Sequence, residues 1–257
     1  MVRSVATRAW FDRDVLHVAR GLLGALVTTT RADGPVTVRL TEVEAYRGAA
    51  DPASHAFRGE NARNATMFGP PGRLYVYRHL GIHACANIVC GPVGQASAIL
   101  LRAGEVTDGA SLARDRRTRN GVTRSDRDLA RGPARFAVAL GLDLALDGTD
   151  VVDPGGVVVV HLAGDLGMAG DASMAGSATM GTVVTGPRVG VSGPGADGDQ
   201  FPWRFWLADE PTVSDFRASG RRPTPQDRDV RVRRRVRQTR PDTASATRPH
   251  DEEDLRE

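Results

Sequence analysis

Segments with alternating apolar and polar residues, as in β-strands, recur along the chain, and two pairs of them are joined by turns too short to hold a helix. The first pair meets at residues 31–34, where an Asp-Gly pair is a strong hairpin signal. A second pair meets at Leu80-Gly81. The segments predicted as strands are 25–30, 35–45, 73–80, 82–89, 97–103, 156–162, 183–191 and 203–208. Because strands joined by tight turns pair antiparallel, this pattern argues against a doubly wound parallel sheet.

Two helices are predicted beside these strands. Apolar residues over 15–23 follow helical spacing, and Gly24 is a suitable stop. Residues 127–141 also have a helical pattern, in which Gly132-Pro133 either starts or interrupts the helix. We therefore predict an α+β fold: a single mixed domain with a mainly antiparallel curved sheet, flanking helices and a protruding β-hairpin.

Two segments fall outside this pattern. Residues 163–182 are rich in Gly, Ala and Met, which is typical of a flexible insertion. Residues 216–257 have too few large apolar residues for a core, so we predict a disordered charged tail after a domain spanning 1–215. From residue 221 onward the chain carries 11 Arg and eight acidic residues, and the rest of the chain is neutral. Seven of these arginines lie in residues 228–240, which we call the Arg block. This block is either a nucleic-acid arm or a solubilising extension.

The chain contains no lysine, so all 34 basic residues are Arg. Arg cannot supply a deprotonatable amine, which excludes Schiff-base enzymes such as pyridoxal enzymes, and also Walker-A phosphate loops. No run approaches the roughly 18 apolar residues of a membrane span, and the N-terminus lacks a secretory signal. Two cysteines, Cys85 and Cys90, make no disulfide scaffold, which favours a reducing cytosol.

Polar side chains cluster where the second predicted strand ends. Glu42, Glu44 and Tyr46 share one face of this strand. They either line a cleft or form an ordinary solvated edge. A long polar loop that contains His55 follows, and loops on a rigid sheet commonly carry binding groups.

The hairpin predicted at residues 73–89 is the most unusual segment. It holds two of the three tyrosines, Tyr75 and Tyr77, on one face. Its tip, Leu80-Gly81-Ile82, is apolar, whereas hairpin tips are normally polar. An apolar tip flanked by Arg suits a wedge that enters a nucleic-acid groove or a partner. The alternative is a tip tucked beneath the long loops.

The histidines of this hairpin do not predict a metal site. His79 and His83 stand at i, i+4, with Cys85 and Cys90 nearby. Zinc ligands at that spacing require a helix, and this stretch alternates as strands. A CxxC pair is also missing, which argues against a zinc deaminase. We therefore expect no metal and no cofactor.

At these residues the chain resembles the alkyladenine (3-methyladenine) DNA glycosylases of the human and bacterial type. The most specific motifs are E-A-Y from Glu44, Y-V-Y from Tyr75 and L-L-R-A from Leu100, in this order. The resemblance covers roughly residues 10–210. Further matches lie over 10–24, 51–55 and 64–72, at Asn87, over 131–133 and over 187–190.

The resemblance implies roles for individual residues. Members of this family flip a damaged purine out of the duplex and hydrolyse its N-glycosidic bond. Glu44 would activate the attacking water, which Arg102 and the carbonyl of Val189 would help to hold. Tyr46 and Tyr77 would stack on the flipped base, and His55 would form an edge of the pocket. Asn87 would reject normal guanine. Leu80 would be the DNA wedge, at the position where the mammalian members have a tyrosine.

The resemblance also sets the expected reaction. Alkylation makes the purine cationic, so it leaves with little acid help and one carboxylate can suffice. Without lysine, no lysine imine can form to nick the strand. We expect excision of 3-methyladenine, with hypoxanthine and ethenoadenine as further candidates, from double-stranded DNA by a cytoplasmic, nucleoid-associated monomer without membrane contact. Two alternatives stay open: a non-catalytic damaged-DNA binding protein of the same fold, which would not need Glu44, and a nucleoside hydrolase, which would not need a wedge.

Overall fold

A large antiparallel sheet organises the residues that this computed structural model describes, namely 3–119, 121–163 and 181–219. Within these ranges nine strands and four α-helices are present, and all of the described residues belong to the compact unit Met1–Gly220. The strands are β1 (Leu26–Arg31), β2 (Gly34–Arg47), β3 (Leu74–His79), β4 (His83–Cys90), β5 (Ser97–Asp108), β6 (Ala130–Arg131), β7 (Val158–His161), β8 (Val183–Gly186) and β9 (Arg204–Leu207). The helices are α1 (Arg8–Phe11), α2 (Val15–Gly21), α3 (Ala110–Thr118) and α4 (Pro133–Leu140). The predicted α+β class and antiparallel sheet are confirmed.

Strand β2 is the centre of the sheet. Its first half pairs with β1, its second half pairs with β9, and β5 runs along its other side. The main strand order is β3-β4-β5-β2-β1-β7, with β6 on β5 and with β8 reaching β2 through β9. The acidic end of β2 therefore lies between two strands and not at an edge of the sheet.

Both predicted hairpins are present. Strands β1 and β2 turn where Arg31 pairs with Gly34, and β3 and β4 turn where His79 pairs with His83. Helix α2 begins at Val15, as its spacing predicts, and the chain takes a left-handed backbone (φ 79°) at Gly24. The local signals for these elements are strong, which explains the agreement.

Other predicted bounds are wrong. Pro133 starts α4 and does not interrupt a longer helix, because residues 126–131 form a single 3-10 turn and then β6. Strand β5 runs to Asp108, beyond the predicted end at 103, because it keeps pairing with β2 as far as Thr37. Strand β8 ends at Gly186, before Pro187, which cannot donate to a ladder.

The helices pack on the sheet through one apolar core. Its largest buried side chains come from both layers, with Phe11, Leu22, Phe136 and Leu140 on or beside helices and Leu40 on β2. None of the described helices is both long and apolar enough to cross a membrane. Apart from residues 163, 181, 182 and 216–219, the predicted insertion at 163–182 and the predicted tail at 216–257 lie outside the described residues.

Candidate active site

A cavity of about 370 Å³ opens between the acidic end of β2, the β3–β4 hairpin and the loop after β8. A cavity of this size suits a small planar ligand. Every predicted catalytic and base-binding residue lines it: Glu44, Tyr46, His55, Tyr77, Asn87, Arg102 and Val189. The sequence positions of these residues span most of the domain, so only the fold brings them together.

Glu44 is fixed by three neighbours although it lines the cavity. Its Oε1 accepts a hydrogen bond from the backbone N–H of Val189 at 2.8 Å and lies 3.3 Å from Nη1 of Arg102. Its Oε2 accepts a hydrogen bond from the hydroxyl of Tyr46 at 2.9 Å. The side chain is fully buried, so the solvated-edge alternative for this motif is wrong. The contact that Val189 makes to Glu44 uses its amide, and the role of its carbonyl stays a prediction.

Arg102, on β5, links two carboxylates of β2. Its Nε donates to Oε1 of Glu42 at 2.7 Å, while its Nη1 faces Glu44. Burial lowers the pKa of Arg102, but the charges of Glu44 and Glu42 outweigh that effect and raise this pKa overall. Arg102 therefore stays cationic beside Glu44.

A buried arginine, Arg188, packs over the ring of Tyr46. The guanidinium of Arg188 lies 4.6 Å from the ring centroid and forms a two-pronged, fully buried ion pair with Asp51 at 2.6 and 2.8 Å. Burial raises the pKa of Tyr46 well above its ordinary value, and the charge of Glu44 adds to this effect. Tyr46 is thus a neutral donor to Glu44. Arg188 and Asp51 were not predicted as site residues, because they lie in matched motifs that are 137 positions apart.

The aromatic wall of the cavity has three members. Tyr75 and Tyr77 stack with ring centroids 5.6 Å apart, and His55 meets Tyr77 edge-on at 4.4 Å. The Nδ1 atom of His55 lies 3.1 Å from the hydroxyl of Tyr75. Partial burial of the ring, with the charges of Arg63 and His79, lowers the pKa of His55 to about 4, so the ring is neutral at pH 7. Tyr75 was not predicted as a site residue, although its place on the Tyr77 face was a usable signal.

Two residues of β4 also line the cavity. The side-chain amide of Asn87 donates to the carbonyl of Tyr75 at 3.2 Å, which fixes its orientation in the cavity. Cys85 is a free, buried thiol, and burial raises its pKa to about 11, so it stays protonated at neutral pH. His79 and His83 face each other across the β3–β4 ladder and do not share a helix face. Within the described ranges, no three His, Cys, Asp or Glu side chains are grouped as metal ligands would be.

The hairpin tip projects into solvent. Leu80 is 78% exposed and Ile82 is 71% exposed, so the alternative of a tucked tip is wrong. The turn closes through a hydrogen bond from the N–H of Ile82 to the carbonyl of His79 at 3.1 Å. His79 also lines the cavity, which places the apolar tip directly beside the cavity mouth.

Comparison with known proteins identifies the family. A family model described as methylpurine-DNA glycosylase matches residues 9–211. A relative from Streptomyces avermitilis, provisionally named a 3-methyladenine DNA glycosylase, is 51% identical over 216 residues, which cover 84% of this chain and 93% of the relative. Relatives with the same provisional name come from Frankia casuarinae (51% identical, covering 80% and 90%) and Mycobacterium tuberculosis (45% identical, covering 82% and 93%). The chain therefore belongs to the methylpurine-DNA glycosylase family.

Proposed function

We propose that this DNA glycosylase removes 3-methyladenine from double-stranded DNA, with hypoxanthine and ethenoadenine as further substrates. The proposal depends above all on one observation: a buried glutamate, Glu44, lines a cavity walled by aromatic rings. A base in duplex DNA cannot reach such a cavity unless it is flipped out of the stack. The curated relatives that carry the 3-methyladenine name share about half of their residues with this chain.

The reaction is hydrolysis at the C1′–N9 bond of the flipped nucleotide. Glu44 accepts a proton from a water whose oxygen bonds to C1′, while the bonding pair of the broken C1′–N9 bond leaves with the purine. Arg102 and the amide of Val189 hold Glu44 in one orientation, because both contact its Oε1 atom. A carboxylate held in this way also stabilises the positive charge that develops on the sugar.

The neutral aromatic side chains that line the cavity support recognition of alkylated purines. Tyr46 and Tyr77 offer ring faces on which a base can stack, and a cationic base gains a cation–π contribution there. His55 is neutral at pH 7 and therefore does not repel such a cation. Asn87, anchored to the backbone of Tyr75, would reject guanine through its 2-amino group.

The product is an abasic site with an intact strand. This chain has no lysine, so it cannot cleave the strand through a lysine imine with the sugar. Leu80 would enter the duplex from the exposed hairpin tip and fill the gap that the flipped nucleotide leaves. We propose that the protein acts as a monomer in the cytoplasm, at the nucleoid.

The direct test uses a duplex oligonucleotide with a single hypoxanthine or ethenoadenine, and alkylated DNA as the source of 3-methyladenine. We expect the wild-type protein to release the base and to give strand breaks only after hot alkali, and we expect Glu44→Gln to bind but not to excise. Glu105→Gln, an exposed acid that pairs with Arg39, is the matched control and should act like the wild type. Lesion binding without excision by the wild type on every substrate would establish the non-catalytic binder instead.

A further inference from the structure

A second buried carboxylate, Glu42, lies behind Arg102, and the proposed mechanism does not use it. Its Oε1 accepts hydrogen bonds from Nε of Arg102 at 2.7 Å, from Nε of Arg204 at 2.6 Å and from the hydroxyl of Ser214 at 3.0 Å. Its Oε2 accepts one from the N–H of Ser214 at 2.8 Å. Three of these four bonds converge on Oε1, more than the two lone pairs of one oxygen, whereas Oε2 accepts one. Glu42 is thus held mainly through its Oε1 atom.

The position of Glu42 distinguishes it from Glu44. Both side chains are fully buried, but of the two only Glu44 lines the cavity. With Arg102 and Arg204 the two carboxylates form a cluster with zero net charge. Removal of one buried charge from such a cluster leaves another uncompensated, which is strongly unfavourable. In this cluster Arg102 is shared between the two acids.

Glu42 determines where the guanidinium of Arg102 points. A planar guanidinium whose Nε is bound to one carboxylate presents only its Nη atoms to a second carboxylate. Here Nη1 lies 3.3 Å from Oε1 of Glu44, which is too long for a strong charge-assisted hydrogen bond. Without Glu42, Arg102 is free to turn and form a tight two-pronged pair with Glu44. That pair would occupy the oxygen atoms that the attacking water needs.

We call the three residues that donate hydrogen bonds to Glu42, namely Arg102, Arg204 and Ser214, the Glu42 cage. Of these, Ser214 comes from near the end of the described residues. Ser214 lies beyond residue 211, where the match to the family model ends. We call residues 212–217 the C-terminal strap. Its other contacts include a hydrogen bond from the hydroxyl of Thr212 to that of Thr41 (2.9 Å), one from Nε of Arg131 to the carbonyl of Val213 (2.8 Å) and one from the N–H of Gly190 to the carbonyl of Arg217 (3.1 Å). The strap thus contacts both the Glu42 cage and the loop that carries Val189.

We propose that Glu42 is a positioning residue for base excision, which acts on Glu44 through Arg102 and is itself held by Ser214 of the C-terminal strap. This inference rests on the proposed function. Glu42 touches neither the substrate nor the water in this arrangement. Its effect is confined to the chemical step, because none of its four bonds reaches a residue of the aromatic wall or the hairpin tip.

The test is Glu42→Gln in the full chain, with three measurements: the single-turnover excision rate at saturating protein, the affinity for the lesion duplex, and the unfolding midpoint. Gln keeps the shape of Glu but loses the charge and places an NH2 group against donors. Because small misplacements of a catalytic group reduce rates strongly, we expect the excision rate to fall by about 10- to 100-fold. Affinity for the lesion duplex should stay at the wild-type value.

Two further variants make the result decisive. Glu105→Gln removes an Arg-paired carboxylate from β5 at the surface and should keep the wild-type rate. Ser214→Ala removes one of the four bonds to Glu42 and should also lower the excision rate, but by less than Glu42→Gln. If Glu42→Gln does not fold, the excision rate of Ser214→Ala tests the proposal instead. A lowered unfolding midpoint with an unchanged rate for the folded, lesion-bound protein would overturn the proposal and leave the proposed function intact. A wild-type protein that excises no lesion would instead remove the proposed function itself.

Discussion

His55 shows how a single residue serves the cavity by staying uncharged. Its ring packs edge-on against Tyr77, and its Nδ1 lies within hydrogen-bonding distance of the Tyr75 hydroxyl, while part of the residue remains exposed at the mouth. Partial burial, together with the charges of Arg63 and His79, lowers its pKa from 6.5 to about 4. The folded protein therefore binds the proton of His55 less tightly than the unfolded chain does.

This difference in pKa predicts an acid dependence of stability. Between pH 6.5 and about 4 the unfolded chain binds more protons at this residue, so the contribution of His55 to folding is complete above pH 6.5 and is lost as the pH falls toward 4. We expect the free energy of unfolding of the wild type to decline more steeply over this window than that of His55→Gln. Denaturant titrations at several pH values measure both curves. Parallel curves for the two proteins would contradict the shifted pKa.

The β3–β4 hairpin combines a strained turn with an apolar tip. Leu80 has a left-handed backbone (φ 50°), which costs a residue with a Cβ about 1–2 kcal/mol and favours glycine. Its side chain is largely exposed and gains no burial energy in the free protein. A strained, exposed leucine is thus unfavourable for the isolated fold, and entry into DNA supplies a reason for it.

Leu80→Gly separates folding from function because the two effects have opposite signs. Glycine removes the strain but adds entropy to the unfolded chain, so we expect the unfolding midpoint to stay equal or to rise. Unstacking a base step costs a few kcal/mol, and without the wedge we expect excision from duplex DNA to fall by at least about tenfold. Excision assays and thermal unfolding measure the two effects. Val93→Gly, which also removes an exposed apolar side chain, should keep full excision, and an equal loss there would argue against a wedge.

The elements that were predicted from sequence are those with local signals. The Asp-Gly turn, the alternation of Val36, Val38 and Leu40, and the Tyr75–Tyr77 face each need only a few neighbouring residues. Helix α3 was missed because its sequence is mostly Arg, Asp, Ser and Thr, and its few apolar residues give only a weak helical pattern. The burial of Glu42 was missed because it depends on the pairing of β2 with β9, about 160 positions later in the chain.

At the scale of the whole molecule, charge is divided between the domain and the segment that follows it. Residues 221–257 carry 11 Arg and eight acidic residues, whereas the preceding residues are neutral overall. Duplex DNA is strongly anionic, so a neutral domain gains little overall attraction from it. We therefore favour the nucleic-acid arm as the interpretation of the Arg block at 228–240, because it supplies the positive charge for DNA binding that the domain lacks.

Replacement of five arginines of this block by Gln in the full chain tests the arm. Each phosphate contact that is lost should reduce the slope of log affinity against log salt by about 0.9, so we expect weaker binding to duplex DNA and a visibly smaller slope. The single-turnover excision rate at saturating protein should not change, because all of the proposed catalytic residues lie within 44–189. The matched control neutralises the four consecutive acids at 251–254, which raises the net charge and should strengthen binding. An unchanged salt slope in the Arg variant would instead establish the segment as a solubilising extension.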